Sequence, residues 1–164
     1  MKNKDFILYV RNFIFGAEDS LVSTVGLLSG IVSAGVLQKE VIISGTVLIF
    51  VEALSMSVGS FLSERTTEEF YSSFRQKESK SIPAALIMFL SYLFFGLIPL
   101  LPYFIISGKQ AFWWSILASL LALSLLGFAS AKILKTNTLK NTFRMVILGG
   151  LAICLGIIVG IVIK

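Results

Sequence analysis

The chain has 164 residues, 56% of them hydrophobic and only 14% charged, with a net charge of +5 and a mean hydropathy of +0.91. Soluble domains carry roughly 25% charged residues, and here the apolar residues come in long blocks, which excludes an ordinary soluble domain and predicts an all-α integral membrane protein with a single transmembrane domain over residues 1–164. There is no histidine and only one cysteine, Cys154 inside an apolar run, so no disulfide framework and no His- or Cys-based catalytic pair is available, and no enzyme is expected.

A helix needs about 20 apolar residues to cross a bilayer, and five segments qualify, at about 15–37, 41–62, 82–106, 111–131 and 143–163. No barrel-length alternation competes with them. Ahead of the first span, Phe6, Val10 and Phe13 share a helical face. Two readings are open there, a short interfacial helix or a frayed lead-in.

The first span holds the stretch FGAEDSLVSTVGLLSG, which sets Glu18 and Asp19 side by side near its start. Ionisable groups at membrane depth are costly and mark function. Stepping 100° per residue from Asp19 puts Ser23, Gly26, Gly30 and Ser33 on its face. That stripe reads either as helix packing through Gly26-x-x-x-Gly30 or as a carboxylate aimed into a polar seam. A dipole-capping role for Glu18 or Asp19 in a first turn is a third possibility.

The second span carries VEALSMSVGSFLSE, in which Glu52, Met56, Gly59 and Ser63 share a face with Ser55 at its edge. Glu52 falls about halfway along, where an unpaired charge is most costly. A lone methionine in a membrane helix normally packs. Beside a carboxylate and hydroxyls, Met56 becomes a candidate ligand, and that donor set suits Fe2+ or Mn2+ better than Mg2+ or Ca2+. A carboxylate that gives up a proton on taking a metal provides a physical route to metal–proton exchange. Small residues at Gly26, Gly30 and Gly59 mark close helix packing.

The connection 63–81 reads SERTTEEFYSSFRQKESK over residues 63–80, with Glu64, Glu68, Glu69 and Glu78. It is either a solvated helical extension or a cytoplasmic surface where metal enters, with Glu64, Glu68 and Glu69 as its carboxylates. In the third span Pro99 and Pro102 are expected to end or kink the helix. Gly149, Gly156 and Gly160 suggest close packing of the fifth, including between subunits.

Basic residues set topology. Lys2, Lys4, Arg11, Arg65, Arg75, Lys77, Lys80, Lys132, Lys135, Lys140 and Arg144 fall on one side, against Lys39, Lys109 and Lys164 on the other. The positive-inside rule puts the N-terminus in the cytoplasm and the C-terminus outside or in the lumen. Basic residues so placed orient helices and do not call for a nucleic-acid partner.

GAEDSLVSTVGLLSGI resembles the first-helix signature of the vacuolar iron transporter family, close to G-x-x-D-G-L-V-S-T-x-G-L-x-x-G. EALSMSVGSFLS is similar to its second-helix signature, close to A-x-S-M-x-x-G-E-Y-x-S, and PLLPYF to the end of its third helix. The resemblance runs in register over nearly the whole chain. It implies a homodimer with a path between subunits that moves Fe2+, often also Mn2+, out of the cytosol in exchange for protons, with Asp19 and Met56 matching the family's metal-handling aspartate and methionine. Ser20 stands where the pattern has glycine, Ser60 where it has glutamate, and Glu52 at a position often small. The best-known members carry a long Glu-rich region between helices two and three, where this chain has only about 18 residues, too few for a three-helix module.

The expected function is therefore a proton-coupled Fe2+/Mn2+ transporter, with metal as cargo and no resident cofactor. Its path would be lined by Asp19, Met56, Glu52, Ser23, Ser55 and Glu18. Its partners would be lipid, divalent metal ions and a second copy of the chain, in the plasma or inner membrane if prokaryotic. The alternative is a small membrane subunit that docks a partner, such as a ferritin-like protein, and supplies a pore or platform. A carrier of another cation or small solute ranks after it.

Overall fold

The computed structural model describes residues 2–72 and 80–164. Arg75 and Lys77 of the charge reading and Glu78 of the connection lie outside the described residues. Five helices follow one another: α1 (Lys2–Ser33), α2 (Gln38–Ser72), α3 (Ser81–Ile105), α4 (Lys109–Ile133) and α5 (Thr138–Ile163). Each contains a stretch long and apolar enough to cross a membrane, and no strand occurs among the described residues.

Hydroxyls are frequent in the interior, with Ser20, Ser29, Ser57, Ser60, Ser91, Ser115, Ser119 and Ser130 buried beside apolar side chains such as Leu21, Leu28 and Leu123. Large apolar side chains such as Leu54, Phe94, Leu121, Leu125 and Val162 stand outside. Lipid tails are as apolar as leucine, so helices associate through close packing and hydroxyl hydrogen bonds, which small residues permit. Trp113 and Trp114, both exposed near the start of α4, suit a membrane–water boundary.

Two apolar clusters run through the bundle. Leu28, Val41, Ile49, Leu100, Tyr103 and Ala111 form one, and Ala17, Leu21, Leu123, Leu126 and Met145 the other. α3 packs against both α1 and α2, and α5 packs along α1. The contact between α1 and α5 is backbone on backbone. A Cβ on Gly156 would sit 2.1 Å from the carbonyl oxygen of Gly26, and one on Gly160 2.0 Å from that of Gly30. These glycines thus join two helices of the same chain.

The turns are short and chemically specified. α1 ends in a Schellman motif, with Val36 N–H to Ile31 O at 3.4 Å, Gly35 N–H to Val32 O at 3.0 Å and Gly35 at φ +83°. α4 ends the same way, with Thr136 N–H to Ala131 O at 2.9 Å, but there the left-handed position is Lys135, at φ 54°. Gln38, opening α2, clasps the α3–α4 turn. Its Nε2 donates to Tyr103 O (2.5 Å) and Ile106 O (2.9 Å), and its Oε1 accepts from Gly108 N–H at 3.1 Å.

Three expectations need correction. Residues 5–13 are neither a separate interfacial helix nor a frayed lead-in but the first turns of α1. Glu18 and Asp19 consequently lie well inside a helix whose first-turn acid is Asp5, which removes the capping reading. The connection over 63–81 follows the helical-extension reading as far as Ser72, because α2 continues past its apolar part; Arg65 and Glu69 pair one turn apart along that extension, at 2.8 Å. Neither proline ends α3, which runs through both to Ile105. The Pro99 carbonyl takes a proton from Ser115 Oγ at 2.6 Å, which ties this stretch to α4.

Candidate functional site

Residues of α1, α2 and α3 meet at a polar knot about midway along the bundle. Tyr92 of α3 is fully buried, and its hydroxyl donates to Glu52 Oε2 on α2. Ser23 of α1 donates to the same Oε2 at 3.1 Å and lies 2.7 Å from the Tyr92 oxygen. A serine has one proton to give, so it is divided between the carboxylate and the phenol oxygen. The backbone of Tyr92 is held too, because Ser20 Oγ donates to its carbonyl at 2.6 Å. This approach is possible because Gly96 carries no side chain: a Cβ there would meet Ser20 Oγ at 2.6 Å and Ile49 at 2.9 Å.

Asp19, one turn before Ser23, lies within electrostatic reach of Glu52 and of the Tyr92 hydroxyl. Glu18 lies instead within electrostatic reach of Arg144, in the second turn of α5, and of Asp19. Ser23 and Glu52 line one end of an otherwise apolar groove of about 530 Å³ that runs between α1, α2 and α5 past Gly26, Gly30 and Gly156.

The structure therefore brings Ser23 and Glu52 into contact, with Asp19 one turn before Ser23 and Glu18 within reach of Arg144 and Asp19 rather than of Glu52. Met56 follows one turn along α2 and is half-buried, while Ser55 and Gly59 are exposed and a Cβ on Gly59 would meet nothing within 4 Å. Gly59 thus makes no close helix contact within the described chain, unlike Gly26 and Gly30. Among the described residues no three His, Cys, Asp or Glu side chains converge as a metal site. A metal held here would need hydroxyl, thioether or backbone donors, or a second copy of the chain.

The three carboxylates expected at a cytoplasmic entry are each engaged. Glu64 pairs with Arg11 of α1 and Glu69 with Arg65. Glu68 accepts the main-chain N–H groups of Lys80 and Ser81, at 3.1 Å for Ser81, and so caps α3. Lys80 also reaches Asp5 at 3.7 Å. A cation arriving at these carboxylates would have to displace a guanidinium or two amides.

Sequence reasoning passed over Tyr92 and Asn12. Asn12 is buried on α1, donates to Leu8 O at 3.0 Å and accepts from Ser60 Oγ at 2.6 Å, so the serine at the pattern's glutamate position joins α1 to α2. The available signal for Tyr92 was a phenol in mid-span, one turn before a glycine.

A family model described as the VIT family matches residues 10–84 and 74–161. The two segments overlap at residues 74–84. A curated relative, Vacuolar iron transporter 1 of Tulipa gesneriana, is 23% identical over 203 residues, covering 87% of this chain and 82% of the relative. That alignment is longer than the chain's 164 residues, so the relative carries residues that this chain lacks. With five membrane-length helices and a family match across nearly its whole length, the chain is a multi-pass integral membrane protein that belongs to the VIT family.

Proposed function

We propose that this protein is a proton-coupled transporter of divalent transition metals, Fe2+ or Mn2+, moving them out of the cytosol along a path between α1 and α2 at the interface of a homodimer. The observation that carries this reading is the Glu52 carboxylate about halfway along the apolar part of α2, lining a groove, with Asp19 in electrostatic reach. Two acids within each other's electrostatic reach in an apolar protein are costly, and a divalent cation satisfies both. The name of the tulip relative, an iron transporter, supports the cargo class.

What one chain leaves open supports a dimer. The α2 face that holds Glu52 and Met56 continues into Ser55, Gly59 and Ser63, all exposed. A second copy laid on this face would shield the polar groups from lipid and bring a second Asp19, Glu52 and Met56 to the path. The distribution of basic residues supports a cytoplasmic N-terminus.

The test is flux. Purified protein in liposomes should carry Fe2+ and Mn2+ under an imposed pH gradient, and Asp19→Ala and Met56→Ala should abolish the flux while the protein stays folded and dimeric. A well-folded wild type that carries neither metal would refute the proposal.

A further inference from the structure

Tyr92 does more than fill space. A phenylalanine would pack equally well into the fully buried site on α3, whereas a buried phenol must find a partner for its proton. Its partner is the membrane-depth carboxylate Glu52. The ring is itself fixed, because Ser20 holds its carbonyl from α1 and Ser23 contacts its hydroxyl. Tyr92 is thus a rigid donor delivered from a third helix to a carboxylate on the second.

The geometry is one-sided. Tyr92 and Ser23 both act on Oε2 of Glu52, and no hydrogen bond falls on Oε1 among the described residues. A carboxylate has acceptor sites on both oxygens. Occupying one of them with two hydroxyls fixes the rotamer and leaves the other for a ligand in the groove. Partners of this kind orient a ligating group and tune its affinity.

We propose that Tyr92, assisted by Ser23, is a positioning residue that pins Oε2 of Glu52 and presents Oε1 to the transported cation as a one-oxygen donor. The inference rests on the transport reading above. It has a consequence for selectivity. Ca2+ takes six to eight oxygens and readily accepts a carboxylate through both. Fe2+ and Mn2+ fit a single oxygen alongside a softer donor such as Met56. Pinning Oε2 therefore favours the transition metals over Ca2+.

The experiment measures Mn2+ uptake into proteoliposomes, with Ca2+ as competitor, for wild type, Tyr92→Phe and Ser23→Ala, alongside equilibrium Mn2+ binding to the purified proteins by electron paramagnetic resonance. Tyr92→Phe, which removes one oxygen, is expected to raise the Mn2+ KM and dissociation constant about tenfold, to change the maximal rate much less, and to let Ca2+ inhibit at lower concentration. Ser23→Ala should shift KM the same way by a smaller factor and serves as the test if Tyr92→Phe does not fold. Unchanged KM and unchanged Ca2+ inhibition would overturn the positioning role while leaving transport intact. A fall in maximal rate and thermal stability at constant KM would reduce Tyr92 to packing and overturn it as well. A folded wild type that neither carries nor binds Mn2+ would remove the transport reading and this inference together.

Discussion

Ser20 of α1 gives its hydroxyl proton to the main-chain carbonyl of Tyr92 on α3, across 2.6 Å. That carbonyl lies one turn before Gly96, and the bond exists because Gly96 has no Cβ to block it. One serine at the family pattern's glycine position and one glycine on the facing helix thus set how closely α3 approaches α1. The placement of the Tyr92 hydroxyl depends on that approach.

Glycine substitutions should separate by what their Cβ would meet. Gly156→Ala and Gly160→Ala drive a methyl group into a carbonyl oxygen of α1 and are expected to cost the most, about 3 kcal/mol, since backbone must move. Gly96→Ala meets Ser20 Oγ and the Ile49 side chain, which yield more easily, and should cost about 1–2 kcal/mol. Gly150→Ala meets nothing within 4 Å. It should be neutral or stabilise by up to about 1 kcal/mol through helix propensity. Thermal unfolding in one detergent gives the ranking, and Gly156→Ala melting with Gly150→Ala would refute the α1–α5 contact.

Hydropathy alone located the five spans, and their apolar parts agree with α3, α4 and α5 to within a few residues at most ends. It missed the first turns of α1 and the last turns of α2, because a hydropathy scan reads what dissolves in lipid and not what is helical. Polar residues such as Arg65 and Glu69 continue a helix by pairing along its face. Ser23 and Glu52 were legible as members of polar stripes. Tyr92 was not, because its meaning comes from α3 packing between α1 and α2, a long-range arrangement that no periodicity within α3 encodes.

Lys135 occupies the left-handed position that ends α4, at φ 54°, where the equivalent position of α1 is Gly35. A side chain with a Cβ is strained there, and glycine is not. Lys135→Gly is expected to raise stability by about 0.5–1 kcal/mol, and Gly35→Ala to lower it by a similar amount. Both are read as shifts in melting temperature. The opposite sign at Lys135 would mean that its side chain contributes more than the backbone strain removes.

Gln38 closes the far end of the bundle by bonding two carbonyls and one N–H of the α3–α4 turn. Gln38→Ala leaves these groups to water and should cost about 1–2 kcal/mol. Gln38→Glu has the same shape but turns a donor into an acceptor facing the carbonyls of Tyr103 and Ile106. It should cost more than alanine does. Amide hydrogen exchange offers a local check, with the Gly108 N–H exchanging faster in Gln38→Ala, which removes its acceptor.

Glu52→Gln separates stability from transport. The amide still accepts protons from Tyr92 and Ser23 through its oxygen, so the knot between α1, α2 and α3 is kept. What disappears is a carboxylate at membrane depth within electrostatic reach of Asp19, an arrangement that opposes folding unless a cation sits between the two. The variant should therefore melt no lower than wild type in metal-free buffer and lose metal flux at least tenfold. Excess Mn2+ sharpens the comparison. A ligand that binds only the folded state at 100 times its dissociation constant stabilises it by about 2.7 kcal/mol, so Mn2+ should raise the melting temperature of wild type and leave that of Glu52→Gln nearly unmoved. If Glu52→Gln unfolds early and Mn2+ still protects it, the carboxylate holds the helices together and the metal binds elsewhere.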